Sequence, residues 1–276
     1  MTTDVRALWD FRDPAGSRAR FEAALEEATG DDALVLRTQV ARTHGLARDF
    51  DTARAVLAEV EPHLDAAGPR ARAYYWLELG RTWVSPAHPQ ESRTAQALAT
   101  ARDGYEHCIT VATGAGLDAL AIDAIHMLAF VDPDPADGVL HADRGLEIAL
   151  ASDQPDARRW EATLRNNKGV ALGQLDRHEE SLAEYEKALA LIEPRGNAAD
   201  TRIAHWMVAN AQRRLGRLDE AEATQRRLEA EWDADGEPDP YVFEELEAIH
   251  RARGDDEHAA HYAARRAAAS GDGEQP

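Results

Sequence analysis

Apolar residues recur along most of the chain at spacings of three, four and seven residues, the pattern of amphipathic helices. The chain also has a longer repeat of about 40 residues, in which small residues recur at equivalent positions among larger ones. The first small residue of each unit is Ala41, Gly80, Ala129, Gly169 or Ala209, and Glu247 stands at the next equivalent position. The second is Ala53, Ala101, Ala142, Ser181, Ala221 or Ala259. A repeat of this length predicts a stack of similar helical units.

The spacing within a unit predicts a helical hairpin. In four of the six units the two small residues lie twelve positions apart, which suits two antiparallel helices joined by a short turn. Small side chains at both points let the two helices approach closely. Four and seven residues after the second small residue the positions are mostly apolar, so the next hairpin should cover that face. The last unit has Ala263 and Arg266 there, as expected where a stack ends.

Prolines and terminal segments modify the pattern. Residues 85–90 and 132–135 each contain two prolines, which should lengthen the turns of the second and third units. Near the amino end, Asp13-Pro14 predicts a helix start, and apolar residues at helical spacing over 18–28 predict a capping helix. The polar, glycine-containing stretch 270–276 predicts a disordered tail.

The unit from Ala162 to Pro194 resembles the tetratricopeptide repeat. In order, its matching positions are Gly169, Leu175, Asp176, Ser181, Tyr185, Ala188 and Pro194. The next unit matches nearly as well, and the resemblance extends over about residues 34 to 268. It implies an all-α fold, a right-handed α-solenoid of about six hairpins. We expect a capping region over 1–30, a superhelix over 31–269 with units at 34–62, 70–112, 117–152, 157–194, 199–232 and 240–269, and the tail.

Charge narrows the range of partners. The chain has 51 Asp and Glu against 31 Lys and Arg, a formal charge of −20, which disfavours phosphate backbones and anionic lipid surfaces. The start lacks the apolar core of a signal peptide, and acidic residues and a histidine interrupt the most apolar stretch, 117–131. A cytoplasmic location is therefore predicted. The basic residues are nearly all arginine, and this bias with abundant alanine is typical of a GC-rich bacterial genome.

The resemblance also implies where a partner binds, because in this family the first helix of each hairpin lines the concave groove. The predicted groove residues are Arg42, Tyr74, Arg81, His126, Asn166, Trp206, Asn210 and Arg213. Arginines gathered there would form a positive channel able to hold an acidic peptide or a small anionic metabolite. Equally open is that Arg42, Arg81 and Arg213 pair with carboxylates of the chain itself. Core packing is the alternative for Tyr74 and Trp206.

Eleven histidines prompt a search for catalytic or metal sites. His126 is the best acid–base candidate, since Asp123 one turn away would stabilise its charged form, although a structural role is the more usual one. His258 and His261 would add to His250 if the last hairpin closed tightly, but such histidines are usually only solvated. The single cysteine, Cys108, excludes an intrachain disulfide and should be buried and inert. We predict no catalytic site, no metal and no cofactor.

Three functional hypotheses follow. The leading one is a scaffold that binds a protein or peptide segment in the groove. The second is a sensor or regulator that closes on a small anionic ligand, and the third is a biosynthetic enzyme that uses His126 as its base. Under the first, replacing Arg42 and Arg81 by glutamate should abolish partner binding without lowering the melting temperature.

Overall fold

A computed structural model of the protein describes residues 3–270, and in this part of the chain the regular structure is entirely helical. Fourteen α-helices follow one another: α1 Pro14–Leu25, α2 Gly30–Leu46, α3 Phe50–Val60, α4 Pro69–Trp83, α5 Ala95–Gly114, α6 Asp118–Leu128, α7 Pro135–Ala151, α8 Pro155–Arg158, α9 Glu161–Gln174, α10 His178–Ile192, α11 Ala198–Arg214, α12 Leu218–Asp235, α13 Pro240–Ala252 and α14 Asp256–Ala269. The predicted all-α fold is confirmed. The helices group into two compact units, one ending at Leu164 and one beginning at Arg165.

Local sequence signals explain where the helices begin and turn. The Asp13 carboxylate accepts a hydrogen bond from the backbone nitrogen of Gly16 at 2.9 Å, and Pro14 occupies the first turn, so α1 begins where the sequence predicts. The turn after α11 places Gly216 in the left-handed region, at φ 76°. Asp176 takes the same conformation after α9, at φ 58°. Aspartate is among the few residues other than glycine that tolerate this geometry.

Close helix approach at small residues is confirmed in both units. The Ser181 hydroxyl donates a hydrogen bond to the carbonyl oxygen of Gly169 at 2.7 Å, which joins α10 directly to the backbone of α9. A Cβ atom at Gly169 would lie 2.5 Å from the ring of Tyr185. In the first unit, a Cβ atom at Gly80 would lie 2.6 Å from the ring of Tyr105. A tyrosine four residues after the second small residue therefore fills the space that the glycine leaves.

The expectation for Ala129 was wrong. The third unit was predicted to place Ala129 and Ala142 at a helix contact, but α6 ends at Leu128 and Ala129 is exposed in the following turn. The early helix end agrees with the prolines over 132–135. Asp134 then accepts a hydrogen bond from the backbone nitrogen of Ala136 at 2.9 Å and starts α7.

The long turn between α4 and α5 is held by specific contacts. The His88 ring stacks on Phe50 with a centroid distance of 3.7 Å, and its Nδ1 lies 2.9 Å from the Ser85 hydroxyl. The Tyr105 hydroxyl donates to the carbonyl oxygen of Val84 at 2.5 Å. Because Ser85, Pro86 and Ala87 of this turn line the pocket described below, the order of the turn matters for that site.

The last hairpin replaces the small residue by a charged one. Glu247 is buried, and its carboxylate lies 2.5 Å from Arg251 and 3.3 Å from Arg266, a residue at the predicted polar end face. The predicted tail lies, beyond Ser270, outside the described residues. Cys108 is buried as expected, and burial raises the pKa of its thiol. Among the described helices, none is long and apolar enough to cross a membrane.

Replacing Gly169 by alanine should lower the free energy of unfolding by about 1–3 kcal/mol, because the added methyl group collides with the Tyr185 ring. The matched control is Gly173→Ala in the same helix, where the new Cβ would meet only the Ser181 hydroxyl at 3.4 Å. That control should be neutral or stabilising by up to about 1 kcal/mol through helix propensity. Urea denaturation of both variants checks the expectation, and equal effects would contradict it.

Candidate functional site

A pocket of about 270 Å³ in the first unit is formed by the first helices of three successive hairpins, α2, α4 and α6. Three of the predicted groove residues, Arg42, Arg81 and His126, line it together. Its other walls are formed by Ala41, Gly45, Leu46, Glu78, Thr82, Ser85, Pro86, Ala87, Asp123, Met127 and Trp160. Two arginines and a histidine from the first helices of successive hairpins therefore lie side by side in this pocket.

Four charged side chains form the polar part of this pocket. Arg81 donates to the Glu78 carboxylate at 2.7 Å and to the Asp123 carboxylate at 2.5 Å. Arg42 lies 3.6 Å from the same Glu78 oxygen. The two cations and two anions balance, so the local positive channel expected from Arg42 and Arg81 does not form. Intramolecular pairing, the alternative to that channel, is what the structure shows.

The two arginines are not equally paired. Both contacts of Arg81 are short, and the carboxylates of Asp123 and Glu78 raise the pKa of its guanidinium against the effect of burial. Burial and the neighbouring Arg81 charge lower the pKa of Arg42 below its usual value, and the Glu78 and Asp123 carboxylates do not fully offset them. Arg42 therefore has one longer ion-pair contact, to Glu78, where Arg81 has two short ones.

Aromatic rings hold Arg42 in place. Its guanidinium carbon lies 5.4 Å from the Trp9 ring centroid and 5.2 Å from the Phe11 ring centroid. The two rings stack on each other at 4.7 Å, and the Trp9 indole nitrogen donates to Gln39 at 2.9 Å. Cation–π contacts of this kind fix a guanidinium without using up its hydrogen-bond donors.

Asp123 favours the charged form of His126, as expected, but burial outweighs it. Asp123 was predicted to stabilise the charged imidazole, but its carboxylate is held by Arg81. Burial lowers the pKa of His126 below its usual value, which Asp123 opposes and Arg81 reinforces. The ring packs edge-on against Phe130 at 5.6 Å and beside Trp160 at 5.5 Å. His126 therefore contributes a neutral, aromatic surface to the pocket at neutral pH.

Tyr74, the fourth predicted groove residue of this unit, does not line the pocket. It is half-buried and packs in the apolar cluster around Phe21 and Val35. The Arg70 guanidinium lies 5.6 Å from its ring, and burial raises the pKa of its hydroxyl. Core packing, the alternative given to Tyr74 by its helical spacing, fits these contacts.

In the second unit, Asn210 and Arg213 on α11 meet at one carboxylate of α13. Arg213 donates to both oxygens of Glu245, at 2.8 and 3.0 Å, and Asn210 donates to the same group at 2.7 Å. The Glu245 side chain is only 5% exposed. As with Arg81, a predicted ligand-binding arginine is engaged by a carboxylate of the chain itself.

Trp206 and Asn166 stand apart from that group. Trp206 donates its indole N–H to the carbonyl oxygen of Tyr241 at 3.1 Å and lines an apolar pocket of about 440 Å³ with Ile203, Met207, Trp232 and Val242. Asn166 is half-buried on α9. A single groove shared by all eight residues therefore stays a prediction.

Sequence reasoning missed several residues that line the first pocket or contact its arginines. Glu78 precedes Arg81 by one helical turn, so the ion pair between them could have been predicted from the spacing of the two opposite charges. Trp9 and Phe11 carried no such signal, because they precede the repeats and meet Arg42 only through the tertiary fold. Trp160 likewise lies between helices, where no periodicity assigns it a direction.

Replacing Arg81 by glutamine should lower the free energy of unfolding by about 3–5 kcal/mol at pH 7, since it leaves Glu78 and Asp123 buried without their main cation. The matched control is Arg37→Gln on α2, whose partner Glu59 is exposed, with an expected cost of about 0–1 kcal/mol. Urea denaturation distinguishes the two. A cost for Arg81→Gln no larger than that of the control would contradict the pairing. The double glutamate substitution expected to leave melting unchanged is therefore not a clean test.

The cost of Arg81→Gln should also shrink as the pH falls from 7 to about 5. In the intact protein the folded pKa of Asp123 lies below 3.8, so its contribution is fully present above that pH and is lost only as the pH falls through the folded value. Without Arg81, burial raises the folded pKa of the carboxylates, and protonation stabilises the variant on acidification. Denaturation at several pH values measures this difference, and a constant cost would contradict it.

Comparison with known proteins agrees with the repeat architecture. The sequence model of the tetratricopeptide repeat family matches residues 160–230, which include α9, α10, α11 and most of α12. No curated protein sequence matches the chain.

Solved structures share the fold at low sequence identity. The apo form of RapI has a TM-score of 0.72 at 11% identity, with 98% of this chain and 74% of that chain covered. A Rap protein complexed with Competence and Sporulation Factor gives 0.60 at 14% identity, with 97% and 74% covered. A signal transduction ATPase with a tetratricopeptide repeat sensor, from Pyrococcus horikoshii, gives 0.69 at 12% identity, with 92% and 38% covered.

This chain therefore spans 38% of the length of that ATPase, and identities of this size establish the fold alone. Helical hairpins in both units, glycine–tyrosine contacts at the repeat positions and the match over four consecutive helices point to the same assignment. Residues 160–230 therefore match the tetratricopeptide repeat family, and the chain shares the fold of a solved protein with a tetratricopeptide repeat sensor.

Proposed function

We propose that this protein is a binding scaffold whose first unit takes up a peptide segment of a partner protein, with a carboxylate of the peptide placed against Arg42. The observation that carries the proposal is the unequal pairing of the two pocket arginines. Arg81 is committed to Glu78 and Asp123, whereas Arg42 has one ion-pair contact at 3.6 Å. An incoming carboxylate would give the Arg42 guanidinium a second and closer acceptor.

Preorganisation supports this role for Arg42. The Trp9 and Phe11 rings already hold its guanidinium, so little side-chain freedom is lost when a carboxylate binds. Its side chain is 21% exposed, which makes it accessible while excluding most competing water. A charge-assisted hydrogen bond in such surroundings is stronger than one on an open surface.

Apolar surface favours a peptide over a small anion. Leu46, which is 41% exposed, lines the pocket together with the half-buried Trp160. Phe11, which is 58% exposed, lies beside Arg42. A small anion would leave this surface in water, whereas an apolar side chain next to the carboxylate of a peptide would cover it.

The structural neighbours are compatible with this proposal. One is a Rap protein in complex with a second molecule, Competence and Sporulation Factor, and another carries its repeats as a sensor. In the first of these proteins a fold of this kind binds another molecule, and in the second it forms the sensor. The chemistry of the ligand proposed for the present chain rests on Arg42 and its surroundings.

Selection from a phage-displayed library of linear peptides against the full chain should enrich peptides in which an Asp, a Glu or the terminal carboxylate adjoins an apolar residue. A synthetic peptide from this set, labelled for fluorescence anisotropy, should bind Arg42→Gln about 10–100-fold more weakly than the unchanged protein. The reason is the loss of one charge-assisted contact of about 1.5–3 kcal/mol.

Arg37→Gln is the matched control, because it removes one positive charge from the same helix at a residue paired with Glu59 outside the pocket. It should bind the peptide as the unchanged protein does. Circular dichroism and melting temperature confirm that both variants are folded. The proposal fails if no peptide is enriched, if enriched peptides lack a carboxylate, or if both variants bind equally well.

A further inference from the structure

The turn between α13 and α14 brings together two histidines and an aspartate, none of which is a residue of the proposed peptide site. His250 lies in the last turn of α13 and is 4% exposed. Asp255 is the N-cap of α14, and His258 lies in the first turn of that helix. One nitrogen of each ring and one carboxylate oxygen all lie within 4.8 Å of one another.

A single carboxylate oxygen stands between the two rings. Asp255 Oδ2 lies 3.2 Å from His250 Nδ1 and 2.8 Å from His258 Nδ1. In a tetrahedral zinc site, ligand atoms bound at about 2.0–2.1 Å are separated by about 3.3 Å. The two oxygen–nitrogen distances are therefore close to those of a bound set, and all three ligand atoms lie within 4.8 Å of one another.

Asp255 is positioned by the helix it caps. Its Oδ1 accepts the backbone N–H of His258 at 3.2 Å, which satisfies one orphan donor of α14. The cap fixes the orientation of the carboxylate and leaves Oδ2 turned towards the histidine nitrogens. Because the cap is required by the helix, the position of this oxygen depends little on whether an ion is present.

The buried His250 ring faces a carboxylate on each side. Its Nδ1 lies 3.2 Å from Asp255 Oδ2. Its Nε2 is buried without a hydrogen bond, and Glu222 Oε1 lies 3.5 Å from it. A neutral imidazole has only one N–H, so one of these nitrogens must present a lone pair to an oxygen. A metal ion or a second proton on Nδ1 would remove the conflict, and in either case Nε2 carries a proton directed at Glu222. In zinc sites, a metal-bound histidine usually donates its other ring N–H to a carboxylate in this way.

We propose that His250 Nδ1, Asp255 Oδ2 and His258 Nδ1 bind a divalent transition-metal ion of the zinc class, with a fourth coordination position open to solvent. Two imidazoles and one carboxylate suit zinc and disfavour magnesium, which requires oxygen ligands. The neighbouring guanidiniums of Arg253 and Arg226 are each already paired with Glu222. The site would pin the end of α13 to the start of α14.

This site differs from the grouping considered from sequence and from the expectation of no metal. His261 was grouped with His250 and His258, but its ring packs edge-on against Tyr262 at 5.1 Å and is not one of the three clustered residues. The aspartate that replaces it was not recognised, because it appears in the sequence only as a helix cap.

The test uses the full chain without a histidine tag, treated with a chelator and then titrated with ZnCl₂ by calorimetry. His258→Gln removes a ligand whose side chain is 54% exposed, and His261→Gln is the matched control on the same helix. The unchanged protein and His261→Gln should bind with equal affinity and show the same rise in melting temperature. His258→Gln should bind at least ten-fold more weakly and lose that rise.

Titration with Co²⁺ provides a second readout that folding defects do not imitate. A visible absorption band typical of four- or five-coordinate nitrogen and oxygen ligation should appear in the unchanged protein and in His261→Gln, and should be absent from His258→Gln. The proposal is overturned if the unchanged protein binds no zinc, or if both variants weaken binding equally, which is the behaviour of scattered surface histidines.

Discussion

The close contact between a small residue on one helix and a tyrosine on the next is the constraint on which the hairpins depend. At Gly169 and at Gly80 the tyrosine ring occupies the space where a Cβ atom would lie. The ring therefore sets the distance between the paired helices, because interior packing leaves no room for a larger group. With the pair fixed, the opposite face of the second helix, with Cys108 and Ala188 seven residues beyond the small position, is buried against the following hairpin.

The close spacing of the helices also determines how buried charges are paired. In the first unit, α2, α4 and α6 lie close enough for one cluster of buried charges to join them. Buried ions are costly unless each is paired, which explains why Arg81 is bound to carboxylates on two helices. The three arginines differ in how their charges are paired. Arg81 and Arg213 have short contacts to carboxylates of the chain, whereas Arg42 is held by aromatic rings and has one contact at 3.6 Å, which is the basis of the ligand-binding role proposed for it.

Much of the fold was predictable because it follows from local rules. The helix start at Asp13-Pro14, the turn residues Asp176 and Gly216 and the contact between Gly169 and Ser181 all arise from spacing and backbone conformation. The third unit was less predictable, because prolines end α6 early and leave Ala129 in a turn. For the site, the sequence identified Arg42, Arg81 and His126, which line one pocket. Their partners and charge states depend on tertiary contacts that no periodicity encodes, as Trp9 and the neutral His126 illustrate.

A double-mutant cycle between Gly169 and Tyr185 measures the central contact most directly. Gly169→Ala is compared in the natural background and in a Tyr185→Leu background, where the ring that the new methyl group would strike is gone. If the ring sets the helix separation, most of the alanine penalty of about 1–3 kcal/mol should disappear in the second background. An equal penalty in both backgrounds would show that the two residues act independently and would contradict the packing described for both units.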